Sequence, residues 1–147
     1  SFVKESLRLY NDIVALPHKC ISKPHYTFEN GYQIPNGRIV ILNLVDTIND
    51  EDLQGRNPKE FYAYRHLERN TQATKIERNF LNFEGGKNSC PGRYLAVNQI
   101  KLILHQILLK YNIRTESEKA LPKVYNGTRV VHLKDGVIFE KRKDVIN

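Results

Sequence analysis

Residues 83–96 read FEGGKNSCPGRYLA, a glycine-rich turn that leads into the strongest helical segment of the chain. That segment, Arg93 to Tyr111 (RYLAVNQIKLILHQILLKY), is apolar around most of its circumference, which predicts a helix buried on several sides. Pro91 suits the first turn of such a helix. Cys90 is thereby delivered to the helix N-terminus, where unpaired backbone N–H groups and the helix dipole favour negative charge. This geometry suits a thiolate directed at an electrophile or a metal.

The composition is that of a single globular domain with a basic charge balance. Of the 147 residues, 40% are hydrophobic and 27% are charged, which excludes the disordered class. The net charge is 23 − 16 = +7, and a basic balance favours an acidic partner such as nucleic acid, an anionic membrane or an acidic protein surface. The basic residues are scattered, and no stretch reaches the roughly 20 apolar residues of a membrane span. Charge alone therefore does not decide between these partners.

The two cysteines, Cys20 and Cys90, lie far apart in the sequence. No CxxC spacing or cysteine–histidine cluster indicates a zinc site, and a single disulfide remains an open alternative. A nucleophilic cysteine would need a base, and no local feature places a histidine beside Cys90. We interpret the five scattered histidines as surface or core residues: His18, His25, His66, His105 and His132.

The first third of the chain mixes helical and strand patterns. Phe2 to Tyr10 has apolar residues near helical spacing, which predicts a short amphipathic helix. Tyr26 to Val45 is rich in β-forming residues and is interrupted at Asn30-Gly31 and Asn36-Gly37, both strong hairpin signals. We predict two or three short antiparallel strands there, followed by a helical turn between Asp46 and Leu53.

The rest of the chain contains one long irregular segment and a second strand region. Gln54 to Asn82 has little periodicity, and a loop of that length in a compact domain is uncommon unless specific contacts hold it. After the long helix, TRVVHL (128–133) and VIFE (137–140) flank Lys134-Asp135-Gly136, which predicts a hairpin between these two runs.

The cysteine-containing turn resembles a known family. Phe83, Gly86, Cys90 and Gly92 fit the haem-binding pattern F-x-x-G-x-x-x-C-x-G of the cytochromes P-450, and Arg93 and Ala96 fit its usual continuation.

Two further motifs of that family follow in the correct order and spacing. Glu5-Ser6-Leu7-Arg8 fits the E-x-x-R helix, although such a pair alone is a common surface ion pair. Asn57 to Arg65 resembles the P-x-x-F-x-P-x-R segment, with Ala63 where proline is usual. The turn Gly31 to Gly37 is also typical of the region. The resemblance covers essentially the whole chain but only the C-terminal portion of the family, and it is most like fungal members, including the ent-kaurene-oxidase-like group.

The resemblance implies a fold that is mainly α with small antiparallel β-sheets. Residues 1–147 are then the C-terminal haem-binding portion of a cytochrome P-450 domain, from the E-x-x-R helix to the C-terminal hairpin. The oxygen-activating helix and the membrane anchor of the family should lie upstream of Ser1. The implied activity is that of a haem-thiolate monooxygenase, which inserts one oxygen atom from O2 into a hydrophobic organic substrate with electrons from a reductase. We expect the chain to be inactive alone.

The resemblance also assigns roles to individual residues. Cys90 would be the axial thiolate ligand of the iron in haem b (iron protoporphyrin IX). Phe83 would shield that ligand, and Gly85 and Gly86 would permit the tight turn under the porphyrin. The full set implied to bind the cofactor is Cys90, Phe83, Gly85, Gly86, Asn88, Gly92 and Ala96. Glu5, Arg8 and Arg65 would form the family's buried ion triad, which holds the long loop against the first helix.

Some positions depart from the family pattern. Asn88 stands where the family usually has an arginine or histidine that contacts a haem propionate, and Glu84 replaces a common glycine. Lys87 is a candidate to compensate for that carboxylate. Lys19 or His18 is a candidate propionate contact, and Ile13 to Ile21 would border the substrate.

The family resemblance gives the positive charge a target. An acidic NADPH-dependent flavoprotein reductase would dock on a basic face over Cys90, formed by Arg69, Lys75, Arg78, Lys87 and Arg93. Location on the cytoplasmic face of the endoplasmic reticulum membrane, through an anchor outside this chain, is implied together with a role in fungal secondary metabolism and no nucleic-acid partner. Two alternatives remain: a haem-thiolate isomerase or dehydratase, and a non-catalytic basic domain that binds an acidic partner or nucleic acid.

Overall fold

The computed structural model describes residues 1–11, 15–119, 124–126, 129–131 and 135–143. Short helices and pairs of short strands alternate along the chain, the mixture predicted from the sequence. The elements in order are α1 (Phe2–Leu9), β1 (Ala15–Lys19), β2 (His25–Thr27), β3 (Gln33–Pro35), β4 (Ile39–Asn43), α2 (Leu44–Asn49), α3 (Glu51–Gln54), a 3₁₀ turn (Gly86–Asn88), α4 (Arg93–Lys110), β5 (Tyr111–Thr115), β6 (Val124–Asn126), β7 (Arg129–Val131) and β8 (Val137–Lys141).

The N-terminal strands form two antiparallel pairs. The Asn30-Gly31 turn joins β2 to β3, which confirms the hairpin predicted there, and Gly31 has the positive φ (+85°) that such a turn requires. The hairpin predicted at Asn36-Gly37 is wrong, because β3 pairs with β2 whereas β4 pairs with β1. The reason is the unpredicted strand β1, which offers β4 a five-residue register from Ala15↔Asn43 to Lys19↔Ile39.

The predicted pairing of TRVVHL with VIFE is also wrong. β8 pairs with β5, from Tyr111↔Lys141 to Thr115↔Val137, and β7 pairs with β6. The strand β5 follows α4 without a break and offers five residues for pairing with β8. A hydrogen bond from the Arg142 N–H to the Lys110 carbonyl (2.9 Å) extends this ladder. Of the predicted hairpin, residues 128 and 132–134 lie outside the described residues.

Helix α1 is short, yet most of its buried side chains carry charge. Lys4, Glu5 and Arg8 are at most 1% exposed, and Leu9 is 4% exposed. The other buried residues of the described part of the chain come from the segment that follows β4 and from α4: Leu44, Gln54, Pro58, His66, Ala73, Thr74, Phe80 and Val97. The interior around α1 is therefore held as much by ion pairs and hydrogen bonds as by apolar contact.

The segment between β4 and α4 is anchored by capped helical turns and then becomes irregular. The Asn43 side chain caps α2 through the Val45 N–H (3.0 Å), and the Asp50 side chain caps α3 through the Asp52 N–H (2.8 Å). The buried Gln54 amide donates to the Thr47 carbonyl (3.0 Å) and to the Asn79 carbonyl (2.7 Å). The long irregular loop predicted from Gln54 to Asn82 is confirmed after α3, and its far end is tied back to α3 by this amide.

Helix α4 begins and ends close to its predicted bounds but is far more exposed than predicted. Val97 is its one buried residue, and its main neighbours among the described elements are α1 and β5. Large apolar side chains face outward from the rest of its surface: Tyr94, Leu95, Leu102, Ile103, Leu108 and Leu109. The prediction of burial on several sides is wrong for this chain, because no other described element covers those faces. No helix in the described ranges is long and apolar enough to cross a bilayer.

Candidate functional site

The candidate site is the cysteine loop, which we define as residues 83–92. Cys90 is a free thiol at its exposed end, and the Cys90 N–H donates to the Phe83 carbonyl (2.9 Å), which closes the loop. Within it the 3₁₀ turn from Gly86 to Asn88 reverses the chain. Gly86 has φ +60°, a backbone conformation that favours glycine. Cys20 is also a free thiol, so the alternative of a disulfide between the two cysteines is wrong.

The start of α4 leaves hydrogen-bond donors free beside the thiol. Gly92 is the N-cap residue and has no side chain to cap the helix, and the first backbone bond of the helix runs from the Ala96 N–H to the Gly92 carbonyl (2.9 Å). A Cβ atom placed on Gly92 would lie 3.9 Å from Cys90 Sγ, so glycine keeps that side of the sulfur open. An anionic sulfur at this position would be stabilised by the helix N-terminus.

Arg93 fastens the cysteine loop to the segment before it. Its Nη1 donates to the Cys90 carbonyl (2.8 Å), and its Nε donates to the carbonyl of the buried Thr74 (3.1 Å). The loop also packs against the interior through Phe83. The Phe83 ring contacts the buried Phe80 ring edge-on, with centroids 6.3 Å apart. The thiol is therefore exposed, whereas the backbone of the loop is fixed by the contacts of Arg93 and Phe83.

Behind the loop, the structure brings the three triad residues predicted from the sequence together. Glu5 accepts from Arg8 Nη2 (2.8 Å) and Arg8 Nε (2.9 Å), and Arg65 Nε donates to Glu5 Oε1 (2.9 Å). The remaining donors of Arg65 reach carbonyls of the long loop, at Gln54 (3.2 Å), Arg56 (2.8 Å), Asn57 (2.9 Å) and Glu60 (3.1 Å). One guanidinium thus joins helix α1 to the first part of that loop.

A fourth residue, which sequence reasoning missed, completes this charge cluster. His66 Nε2 lies 3.0 Å from Glu5 Oε2, and the ring is buried, with no hydrogen-bond partner for Nδ1 among the described residues. Burial alone would raise the pKa of Glu5, but hydrogen bonds from Arg8, His66, Arg65 and the Tyr62 N–H outweigh it, so the pKa lies well below its ordinary value. The adjacency of His66 to Arg65 was the only signal in the sequence.

The matching family identifies the chain. The family model for Cytochrome P-450 matches residues 1–140. The chain belongs to the cytochrome P-450 family. The family and the likeness to fungal members predicted from the sequence are both confirmed, whereas the ent-kaurene-oxidase-like subgroup stays a prediction.

Three fungal cytochromes P-450 illustrate the similarity. The monooxygenase janQ of Penicillium janthinellum is 30% identical over 99% of this chain and 30% of its own length. The monooxygenase avaL of Aspergillus versicolor is 32% identical over 98% of this chain and 27% of its own length. The monooxygenase paxQ of Penicillium paxilli is 29% identical over 99% of this chain and 30% of its own length. The chain therefore spans less than a third of the length of these relatives.

In this cytochrome P-450 the donor set around the cysteine loop fits a haem iron. The loop offers one exposed, unpaired thiol beside an uncapped helix N-terminus, and this thiol could hold the iron of a haem. The described part of the chain contains no group of three or more histidine, cysteine or acidic residues that could hold a bare metal ion. Gly86 would leave open space for a flat ligand, because a Cβ atom there would meet no atom within 4 Å.

The other residues assigned to the cofactor lie around the same loop. Phe83 and Gly85 are half-buried, and a Cβ atom on Gly85 would lie 3.9 Å from the side chains of Ile76 and Leu81. Asn88 is exposed at the end of the 3₁₀ turn, and Ala96 is half-buried one turn into α4. These positions put Asn88 on the surface and Ala96 on the helix that carries Cys90.

The two candidate propionate contacts lie on β1. His18 Nε2 is 3.9 Å from Glu84 Oε1, so His18 is a close neighbour of Glu84 within the described ranges. Lys19 is exposed and next to it in the strand. The contact between His18 and Glu84 connects β1 to the start of the cysteine loop. Of the segment predicted to border the substrate, residues 13 and 14 lie outside the described residues.

The basic face predicted over Cys90 is only partly free. Arg93 is committed to carbonyl groups, Arg69 Nη1 donates to the Leu53 carbonyl (2.9 Å), and Lys75 pairs with Glu77 (2.9 Å). Lys87 and Arg78 are exposed. The positive charge available for a partner is therefore concentrated on Lys75, Lys87 and Arg78, of which Lys75 keeps an exposed side chain despite its ion pair.

Proposed function

We propose that this chain supplies the proximal, haem-binding half of a haem-thiolate monooxygenase, with Cys90 as the axial ligand of the iron of haem b. The observation that carries the proposal is the exposed Cys90 thiol at the uncapped N-terminus of α4, in a chain that belongs to the cytochrome P-450 family. When bound, the haem supplies the oxygen chemistry, for which thiolate donation to the iron favours cleavage of the O–O bond. The reaction would insert one oxygen atom from O2 into a hydrophobic organic molecule.

Each loop residue would then act on the ligand or its surroundings. The backbone donors at the start of α4 would restrain the negative charge on Cys90 and so tune the iron. Phe83 would shield the sulfur from water on the protein side, where it packs against Phe80. Gly86 and Gly92 would let the porphyrin approach the backbone closely, and Gly85 would permit the tight turn beneath it.

Polar contacts to the propionates would come from neighbouring elements. Asn88 would donate an uncharged hydrogen bond, and either His18 or Lys19 would provide the polar contact from β1. The distance between His18 Nε2 and Glu84 Oε1 (3.9 Å) supports His18 as the β1 residue nearest to the start of the cysteine loop. The Glu5 charge cluster would take no direct part in the chemistry and would hold the loop after α3 against α1.

The chain would be the C-terminal portion, residues 1–147, of a longer catalytic unit and would not turn over substrate alone. Two observations support this: the chain spans 30% or less of the length of the relatives described above, and α4 presents uncovered apolar residues such as Leu102 and Ile103. The remainder of the fold would cover those faces and supply the distal wall of the haem pocket. A membrane anchor at the cytoplasmic face of the endoplasmic reticulum would belong to that remainder.

Electrons would come from an acidic, NADPH-dependent flavoprotein reductase. The exposed cations Lys75, Arg78 and Lys87 beside the cysteine loop support this docking face, since opposite charges steer association. We expect the association rate with such a reductase to fall with added salt and with Lys87→Glu; a rate that neither change affects would contradict this docking face.

Haem titration of the chain tests the proposal. We expect Cys90→Ala to abolish haem uptake in the thiolate-ligated form, whereas Cys20→Ala, which removes the other free thiol, should bind haem as the unaltered chain does. Equal haem binding by the Cys90→Ala variant would contradict the proposal. Salt-dependent binding of RNA by a chain that takes up no haem would favour a non-catalytic basic domain instead.

A further inference from the structure

A second buried charge network lies beside the Glu5 cluster and depends on a different residue of α1. The Lys4 side chain is 1% exposed. Its Nζ donates to Thr71 Oγ1 (2.7 Å) and to Glu77 Oε2 (2.8 Å), and it lies 4.8 Å from the centroid of the Phe80 ring. An ammonium group is costly to remove from water, so these three partners together must compensate for the burial of Lys4.

The partner carboxylate is ionised at neutral pH. Burial acts to raise the pKa of Glu77, but hydrogen bonds from Lys4 and Lys75 outweigh it and lower the pKa to about 2. Glu77 therefore lies between two lysines, one buried and one exposed. The Lys4–Glu77 contact is a charged pair that joins α1 to the last part of the long loop.

The segment that Lys4 holds is the one on which the cysteine loop rests. Glu77 and Phe80 close a tight turn, in which the Phe80 N–H donates to the Glu77 carbonyl (2.8 Å) and the Glu77 N–H to the Phe80 carbonyl (3.3 Å). The ring of Phe80 is 1% exposed and contacts Phe83. The Phe83 carbonyl in turn accepts the Cys90 N–H (2.9 Å).

A second connection runs from the same segment to the other side of Cys90. Thr74 lies midway between Thr71 and Glu77, the two hydrogen-bond partners of Lys4, and its carbonyl accepts from Arg93 Nε. Arg93 Nη1 donates to the Cys90 carbonyl. Residues 71–80 thus support the Cys90 backbone at both its N–H and its carbonyl, through Phe83 on one side and Arg93 on the other.

We propose that Lys4 is a positioning residue for Cys90: it fixes residues 71–80 against α1 and so holds the cysteine loop in place. The part of this inference that concerns the iron rests on the proposed function, whereas the part that concerns the order of the loop does not. The Glu5 cluster ties the first half of the long loop to α1 through Arg65. Lys4 ties the second half to α1, in addition to the bonds from the Gln54 amide to the Asn79 carbonyl and from the Asn82 amide to the Leu7 carbonyl.

Hydrogen exchange at the Cys90 amide tests the positioning role in the chain without haem. Lys4→Met keeps the length of the side chain and removes its charge and donors, and we expect Cys90 N–H exchange to become about tenfold faster. Ladder amides of the β5–β8 pair, such as that of Arg114 opposite Ile138, should change by less than about twofold. Lys4→Arg, which keeps the charge, should restore most of the protection at Cys90.

If Lys4→Met lowers the hydrogen-exchange protection of amides throughout the chain, a milder variant tests the positioning role of Lys4. Thr71→Val removes one hydrogen bond of Lys4 and keeps the Glu77 pair, and we expect Cys90 exchange to rise about threefold with β5 and β8 unchanged. Unaltered Cys90 exchange in Thr71→Val, or in a Lys4→Met chain whose β5–β8 amides stay protected, would overturn the inference.

The ferrous–CO band of the haem-loaded chain provides a second measurement of the positioning role. Lys4→Met should lower the fraction of bound haem that gives the thiolate type of ferrous–CO band, and Lys4→Arg should restore it. If the band does not depend on Cys90 at all, the proposed function fails, but the exchange measurement still decides whether Lys4 positions the loop. If the band depends on Cys90 yet the Lys4→Met band equals that of the unaltered chain, the positioning role toward the iron fails by itself.

Discussion

Helices α1 and α4 invert the usual relation between polarity and burial. Helix α1 has 8 residues and buries Lys4, Glu5 and Arg8 almost completely, whereas α4 has 18 residues, is apolar around its circumference and buries Val97. Lys4 and Glu5 find partners in residues 62–77 of the same chain. Arg8 pairs with Glu5 and donates to the Ile48 carbonyl. Most of the apolar surface of α4 meets nothing among the described residues.

The contrast shows that partners, rather than polarity, decide what is buried here. A carboxylate with two guanidiniums and a histidine around it can leave water, because each lone pair is satisfied. An apolar helix without neighbours stays exposed, since burial needs a second surface. The completed contacts of α1 and the open faces of α4 together support the proposal that a larger part of the cytochrome P-450 fold packs on α4.

The largest expected effect comes from breaking the cluster on α1. Glu5→Gln would leave Arg8 and Arg65 buried without a counter-charge, and we expect a loss of about 3–5 kcal/mol in the free energy of unfolding. Urea denaturation measures this loss. Glu51→Gln, which changes an exposed carboxylate at the start of α3, serves as the control and should alter stability by less than about 0.5 kcal/mol. Equal stability of the two variants would show that the Glu5 cluster contributes nothing.

A smaller effect is expected on α4, where one position is buried and its neighbours are not. Val97→Ala should cost about 1.5–3 kcal/mol, because it removes a fully buried side chain. Leu95→Ala, two residues earlier and 67% exposed, should cost less than about 0.5 kcal/mol in the same denaturation experiment. A large cost at Leu95 would mean that this face of α4 is covered after all.

The smallest expected effect is the part of the pH dependence of stability that comes from the Lys4–Glu77 pair. The pKa of Glu77 lies near 2, below its ordinary value of 4.5, so its contribution to stability is complete above pH 4.5 and is lost as the pH falls toward 2. Glu77→Gln should remove that part of the acid destabilisation. Urea midpoints across this pH range, compared with those of the unaltered chain, measure the difference. Parallel pH curves for the two chains would contradict the assignment.

The sequence predicted the candidate site better than the arrangement of strands. The cysteine loop and the start of α4 follow from a motif whose spacing fixes the local geometry, whereas the meeting of Glu5 with Arg65 was implied only by the family resemblance. The turn at Asn36-Gly37 was identified correctly as a turn, but turn chemistry does not reveal which strand will pair with the residues after it. That choice was made by β1, which lies far back in the sequence.

Two buried residues escaped sequence analysis because their roles depend on distant contacts. Lys4 carries no signal in the sequence beyond its place in a short amphipathic helix, and His66 is one of five scattered histidines. Their partners are 61 to 73 positions away, and no local pattern connects positions so far apart. The exposure of α4 was missed for the opposite reason, since periodicity reports what a helix could bury and not which neighbours it has.

The most direct test of the central claim changes the donor at Cys90 without removing it. The haem-loaded chain and its Cys90→His variant should both hold the iron, because an imidazole is also an axial ligand. We predict that the ferrous–CO Soret band of the unaltered chain lies at the position typical of thiolate ligation and that the variant moves it to the position typical of histidine ligation. A band that is the same in both proteins would contradict the claim that Cys90 ligates the iron.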